Sequence, residues 1–412
     1  MTPAAPGSTL ACLARQAWAP AALVCAGAVA VFLWCGVSPR DLAAFAAYLG
    51  GGVALPGTLL WRALTGGRTG GTAGGTSSGT SSGTSSGTSV AEDVAAGLAL
   101  GYAVEVLAYV PARAVGLPLL VLVPPVVVVC AFALVPGLRR HWRRPADGQR
   151  LPAWCAWTLA GIVAFLIAWS TMSVYRVPIT AGYVDMPYHL ALVGEAKHHF
   201  PLTLPSVLGE RLSYHWFVYA EMAATSWVTG IEPATLVYRL SMLPMAAAGV
   251  TYFLFSPALV EEVVFSSRSM FTVSTSPTQT FGALLFVPVV SLLAGGFRAR
   301  WAALVVLLVA LTGAKATYLP LLLAGLLLVT AVRGVVERRV PRVWPAAAAL
   351  TLGCLLFAQF VVFGQGAQGM TVSPFATMRT LWGSVAGVGM PELASAPPGP
   401  LAVLTGVHLF CL

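Results

Sequence analysis

Charge is what this chain lacks. Of its 412 residues only 9% are Asp, Glu, Lys or Arg, and just two, Lys197 and Lys315, are lysine; a soluble globular domain carries about 25% charged residues. With 58% hydrophobic side chains and a mean hydropathy of +0.82, that scarcity excludes an ordinary soluble fold. Paired cysteines are missing as well. Cys12, Cys25, Cys35, Cys130, Cys155, Cys354 and Cys411 stand singly, mostly inside apolar runs, with no CxxC. This excludes a disulfide framework and a cysteine zinc site. No Walker loop, no HExxH and no GxSxG serine followed by triad partners occurs, and the glycines of 66–89 sit in a repeat and follow no strand. A soluble nucleotide-binding domain is thereby excluded.

What is present is a series of apolar runs at membrane-spanning length. They fall near 17–37, 43–61, 91–110, 117–137, 152–171, 214–230, 235–257, 280–296, 301–316, 318–332 and 344–364, with a further one starting near 401. The expected fold is all-α: a polytopic transmembrane helical bundle of about eleven or twelve spans. Several runs in the second half are short for a lipid-exposed helix of about 20 residues, so they are expected inside the bundle, tilted or partly re-entrant. The division expected along the chain is 1–65 for two leading helices and 66–90 for a low-complexity Gly/Ser/Thr linker. Residues 91–150 follow as a hairpin with a basic loop, then 151–345 as the main membrane module and 346–412 as a C-terminal helix, outer loop and last span.

The basic loop sets the orientation. Arg139, Arg140, Arg143, Arg144 and Arg150 crowd a short stretch, and clustered Arg and Lys mark the cytoplasmic side. Alternation then places the N-terminus, Arg62, Arg68, Arg298, Arg300 and the run Arg333 to Arg342 inside, with Arg239 at the inner end of its helix. The net charge of +9 is accounted for by topology and requires no nucleic-acid partner. The apolar run Ala17–Val37 lacks a small-residue cleavage site and reads as a retained helix in the cell membrane. At the other end the chain stops at Leu412, within an apolar run that begins after Pro400, the pattern expected of a truncated reading frame.

The same alternation puts two polar segments outside, 172–213 and 258–279. Asp185, Glu195, Glu210, Glu221, Glu232, Glu261 and Glu262 make up half of the 14 acidic residues, and His189, His198, His199 and His215 four of the six histidines. Asp185, two residues before Pro187 and ahead of the periodic Leu190, Val193, Ala196 and Phe200, signals a helix start with Asp185 as N-cap. That helix, over 187–199, is short and amphipathic and is expected to lie along the outer surface. His198 and His199 read as its solvated end, and Asp185 and His189 share a face four residues apart.

An acidic residue in the first long outer loop, a juxtamembrane helix, and a re-entry marked Tyr214-His215 together resemble the GT-C superfamily, polytopic glycosyltransferases that use polyprenyl-phosphate-linked sugars, with actinobacterial members among them. Ser274-Thr275-Ser276-Pro277 through Phe281-Gly282 and Thr312-Gly313-Ala314-Lys315-Ala316-Thr317 resemble that superfamily's membrane module, so that the likeness covers roughly 150–345. Departures are visible: many members carry two adjacent acids where Asp185 stands alone, and here four helices precede the run 152–171. The high Ala, Gly and Arg usage agrees with a bacterium of high GC content.

The resemblance implies transfer of a sugar from a polyprenyl-phosphate donor to a cell-envelope glycan, lipid or protein on the extracytoplasmic face. A carboxylate can take the acceptor proton, and Asp185 is the candidate base; positive charge or a divalent ion, Mg or Mn, can offset the leaving phosphate. Lys315 and Arg268 are the candidate cations, and Asp185 with His189 the candidate metal ligands. His189 and His215 read either as metal or phosphate ligands or as interfacial packing. Lys315 is either a phosphate partner or a side chain snorkelling to the interface. Glu221, a carboxylate within an apolar run, either lines the acceptor cavity or pairs with Arg239. A transporter or flippase is the alternative, with Pro124-Pro125 and Pro288 as the helix breaks such proteins use, and a non-catalytic membrane protein is a third reading.

Overall fold

The computed structural model describes residues 19–65, 90–143, 153–169, 185–207, 209–255, 276–294, 300–315, 317–336, 338, 340–364, 376–387 and 397–410. Residues 66–89 of the linker, 172–184 of the first polar loop and 258–275 of the second, Arg268 included, lie outside them. Among the described residues the secondary structure is helical, with no strand beyond a single bridge between Thr203 and Arg211. The chain is a polytopic helical membrane protein, as composition and hydropathy require.

Every expected span holds a helix. In chain order these are α1 (Ala19–Trp34), α2 (Pro39–Thr65), α3 (Val90–Ala114), α4 (Pro118–Leu134), α5 (Ala153–Trp169), α6 (Met186–His198) and α7 (Phe217–Thr229). They continue with α8 (Met242–Phe255), α9 (Pro277–Ala294), α10 (Trp301–Ala314), α11 (Tyr318–Val336) and α12 (Val343–Val362). Five of these, α2, α3, α9, α11 and α12, are long and apolar enough to cross a membrane, and α4 with the bent segment Pro136–Trp142 makes a sixth if counted as one span. The others are shorter, so the eleven or twelve runs correspond in position to helices but not to as many membrane-length ones. Residues 367–412 form a separate compact unit, with α13 (Ala376–Val385) and α14 (Pro398–Phe410).

Helix α3 is the axis of the larger unit. Ala96, Ala99, Leu100, Tyr102, Ala103, Val106 and Tyr109 are buried, and α2, α4, α7, α8, α9 and α10 all pack on it. Its small residues explain why. Gly97 and Gly101, one turn apart, meet Gly57, Thr58 and Val53 of α2 backbone to backbone: a Cβ on Gly57 would run into the Gly97 carbonyl and the Gly101 backbone, and one on Gly97 into Thr58. With lipid as solvent there is little hydrophobic drive to bring helices together, so close van der Waals contact through small residues takes its place.

The two ends of α3 are chemically opposite. At its start the Arg62 Nε donates to Asp93 Oδ2 at 3.1 Å and the Arg62 Nη1 to the His141 carbonyl at 3.3 Å, fixing the end of α2 beside the arginine-rich loop. At its finish the Tyr109 hydroxyl donates to the Ala196 carbonyl of α6 at 3.1 Å. Sixteen residues of helix, about 24 Å, separate these anchors. The polar segment after Asp185 therefore lies at the far end from the basic loop, on the opposite side of the bundle as the alternation of loops expects.

Two expectations fail. The run 214–230 does not carry the chain to the basic end. Helix α7 rises only about 20 Å, ends in the left-handed Gly230 (φ +75), and leads into Ile231, Leu236 and Leu240, which pack with Phe32 of α1, Val37 of the turn after it and Phe45 of α2. Arg239 accordingly donates to the Cys35 carbonyl at the far end instead of sitting at the basic end and pairing with Glu221. The reason is direction: α7 lies along α6, which Tyr109 ties to the far end, so the chain enters and leaves it there.

The α2–α3 contact predicts a steric test. Gly97→Val should destabilise the protein by about 1–3 kcal/mol, read as a lowered Tm in detergent, while Gly27→Ala, with open space around the new Cβ, should leave Tm unchanged or slightly raised. Equal Tm values for the two variants would show that the glycines do not set this contact.

Candidate functional site

The far end of the bundle gathers most of the described candidates. Asp185 is the N-cap of α6 by backbone position, and its carbonyl accepts from the His189 N–H at 2.9 Å. Its side chain makes no capping hydrogen bond and is exposed, so the carboxylate is available for other work. Its charge acts on Tyr214 and Tyr219. One turn on, His189 is buried, with its Nδ1 at 2.7 Å from the Tyr219 hydroxyl and its ring stacked on that of Tyr219 at 5.6 Å.

Tyr214 is the hub. Its ring meets Tyr188 edge-on at 5.8 Å, stacks on Tyr219 at 6.5 Å and tilts against His215 at 5.4 Å, and its hydroxyl lies beside Thr278 at the start of α9. His215 is buried edge-on against Phe363, 5.2 Å between centroids, while the neighbouring Ser213 donates to the Phe363 carbonyl at 3.1 Å. Lys315 caps the end of α10, half-buried, with its charge within reach of His215. Two glycines bring it there. A Cβ on Gly313 would collide with the Phe217 ring, and one on Gly282 would stand 2.6 Å from Tyr318 and 2.8 Å from the Lys315 Cβ. Asp185, His189, His215 and Lys315 are thus parts of one polar and aromatic cluster. Tyr188, Tyr214, Tyr219 and Thr278 belong to it too, though sequence reasoning gave the first two no role and passed over the others. Tyrosines at a membrane interface are so common that only their convergence marks them.

Helix α6 is held in place by its other end. Glu195, expected only as one of many loop acids, is buried: Oε1 accepts from the Thr203 N–H (2.9 Å) and hydroxyl (2.6 Å), and Oε2 pairs with His199 Nδ1 at 2.7 Å. Burial acts to raise its pKa, but the hydrogen bonds from Thr203 and His199 and the His199 charge outweigh it and hold the carboxyl below its ordinary 4.5. Lys197 donates to Ser226 at 2.9 Å and lies over the Trp227 ring, whose Nε1 donates back to the Lys197 carbonyl at 3.1 Å. The helix therefore packs alongside α7 and does not simply rest on the surface. His198 and His199 are exposed at its end, as expected.

Glu221 lies apart from this cluster. It is buried on α7, accepts from Thr225 at 3.1 Å, and interacts with Glu105 of α3. Glu105 in turn accepts from the Tyr48 hydroxyl at 2.7 Å. Sequence reasoning missed Glu105, although a lone carboxylate in the apolar run 91–110 carried the same signal as Glu221.

For a divalent metal the fit is poor among the described residues. Asp185 and His189 find no third carboxylate, imidazole or thiolate to complete a site, and His189 Nδ1 is engaged by Tyr219. No protein-family model, curated protein or solved structure matches this chain.

A lowered carboxyl pKa contributes stability that is present above the unfolded value and lost as pH falls through the folded one. Glu195→Gln should therefore cost about 1–3 kcal/mol at neutral pH, and the Tm gap to wild type should close as the pH drops below the ordinary carboxyl range. A gap of constant size through acid would show that the charge on Glu195 is not what Thr203 and His199 stabilise.

Proposed function

We propose that this protein is an integral membrane glycosyltransferase of GT-C type, moving a sugar from a polyprenyl phosphate to a hydroxyl of a cell-envelope glycan, lipid or protein. The observation that carries the reading is the convergence, at the end of an apolar bundle remote from its arginine-rich loop, of an exposed carboxylate (Asp185), a tyrosine and histidine cluster, and the half-buried ammonium of Lys315. Under the positive-inside rule that end is extracytoplasmic.

In the proposed reaction the acceptor oxygen attacks the anomeric carbon while its proton passes to the Asp185 carboxylate. The bond from that carbon to the phosphate oxygen breaks, and its electron pair leaves on the lipid phosphate. A single displacement of this kind inverts the anomeric centre. Lys315 offsets the charge gathering on the phosphate, and the flat faces of Tyr188 and Tyr214 offer apolar surface to sugar rings. An ammonium set at membrane depth is costly unless it has a counter-charge, which a lipid phosphate supplies.

A transport reading draws on a different observation: a π-helical segment interrupts α2 at Leu49–Ala54 and another ends α12 at Ala358–Val362, both in membrane-length helices, and such segments frequently mark functional positions.

Membranes containing the protein should transfer label from a polyprenyl-phosphate pentose or hexose to an envelope acceptor. Asp185→Ala should lower turnover by about 10²-fold or more, and Lys315→Met should slow transfer while leaving the fold intact. Unchanged turnover in Asp185→Ala would remove the assigned base. No transfer from any such donor, with uptake of labelled solute into proteoliposomes instead, would replace the enzyme reading with transport.

A further inference from the structure

The polar atoms the cluster leaves unexplained lie deeper, between α3 and α7. Glu105 is 4% exposed and Glu221 1%. One oxygen of each is satisfied, Glu105 Oε1 by Tyr48 at 2.7 Å and Glu221 Oε1 by Thr225 at 3.1 Å. The second oxygen of each, and the Tyr102 hydroxyl within electrostatic reach of both, are buried without a hydrogen-bond partner. Neither glutamate belongs to an ion pair among the described residues.

Two ionised carboxylates held close together in an apolar interior repel each other and lose hydration, which costs several kcal/mol. A proton on one of them removes the repulsion and the cost of holding that charge in an apolar interior. Among the described residues no basic side chain acts on either glutamate. Tyr48 faces Glu105 from α2, Tyr102 from its own helix and Glu221 from α7, while α4 presents Val121, Pro125 and Val128, and α9 places Phe281 against Tyr102. A cleft between α2, α3 and α4 reaches Glu105 from one side, lined also by Tyr48, Gly52, Gly57, Gly101 and Pro125. The π-helical turn of α2 forms its wall directly after Tyr48.

We propose that Glu105 and Glu221 form a proton-binding site inside the bundle, a carboxyl pair that holds one proton at neutral pH and exchanges it through the cleft beside Tyr48. The site is independent of the sugar-transfer reading, and it would serve a transporter as a coupling group.

Infrared spectroscopy of the full chain in lipid nanodiscs tests this directly. Wild type should show the C=O stretch of a neutral carboxyl at neutral pH, fading as the buffer is made alkaline, and the Glu105→Gln/Glu221→Gln double variant should lack it. Either single Gln variant removes the neighbouring negative charge, so the midpoint of the remaining carboxyl should fall by about one pH unit or more. An apolar carbodiimide, which adds only to neutral carboxyls, should label Glu105 in wild type over the same range. An identical spectrum in the double variant, or a midpoint unmoved by the single replacements, overturns the shared proton. A band suppressed by sodium at constant pH would make the ligand a metal cation and overturn the proton. Label on neither glutamate while the band persists would overturn the cleft as the route.

Discussion

The approach of α2 to α3 through Gly57, Gly97 and Gly101 governs the rest of the larger unit. Because the two backbones touch, Tyr48 reaches Glu105 and Arg62 reaches Asp93, so one helix pair carries both an interior polar contact and the link to the arginine-rich loop. It also fixes α3 in the centre, where its other end can receive α6 through Tyr109. Small residues at such a seam limit the structure more than any single salt bridge, since in lipid the approach distance decides how much van der Waals contact two helices can make.

At the far end a second layer of restraint operates. Helix α6 is pinned at one end by Glu195 and Thr203 and along its side by Lys197, Ser226 and Trp227, all polar contacts outside the longest apolar helices. This leaves its first turn, with Asp185 and His189, presented to Tyr214 and Tyr219. The rings then fill the space between α6, α7 and the start of α9. Division of labour follows: Glu195 and Lys197 hold the helix, and Asp185, unused by the cap, stays free.

Much of this was legible in the sequence. Hydropathy located a helix in each expected apolar run, though not α13, which lies between two of them, and the Asp185–Pro187 signal located α6 to within a residue or two. For Asp185, His189, His215 and Lys315 the sequence offered only an expected common side of the membrane; their ring and charge contacts come from the fold. What stayed hidden required tertiary knowledge. Glu221 was noticed as a buried acid, but its neighbour Glu105 comes from a helix more than a hundred residues earlier, and no spacing rule links them. Arg239 was misplaced because the run 214–230 has the composition of a span while α7 lies along α6 and the chain leaves it at the far end. Arg268 and most of the second polar loop fall outside the described residues.

Helix α10 is 14 residues, about 21 Å long, set in a hydrocarbon layer of about 30 Å. A helix of that length starting at one interface would stop about 9 Å short of the other, and Lys315 directly follows its last residue. At such a level a low local dielectric would strengthen an ammonium's hold on any anion. A lipid headgroup bound there would be drawn below its neighbours in the leaflet, stretching the protein's grip from the headgroup to the first segments of the tail.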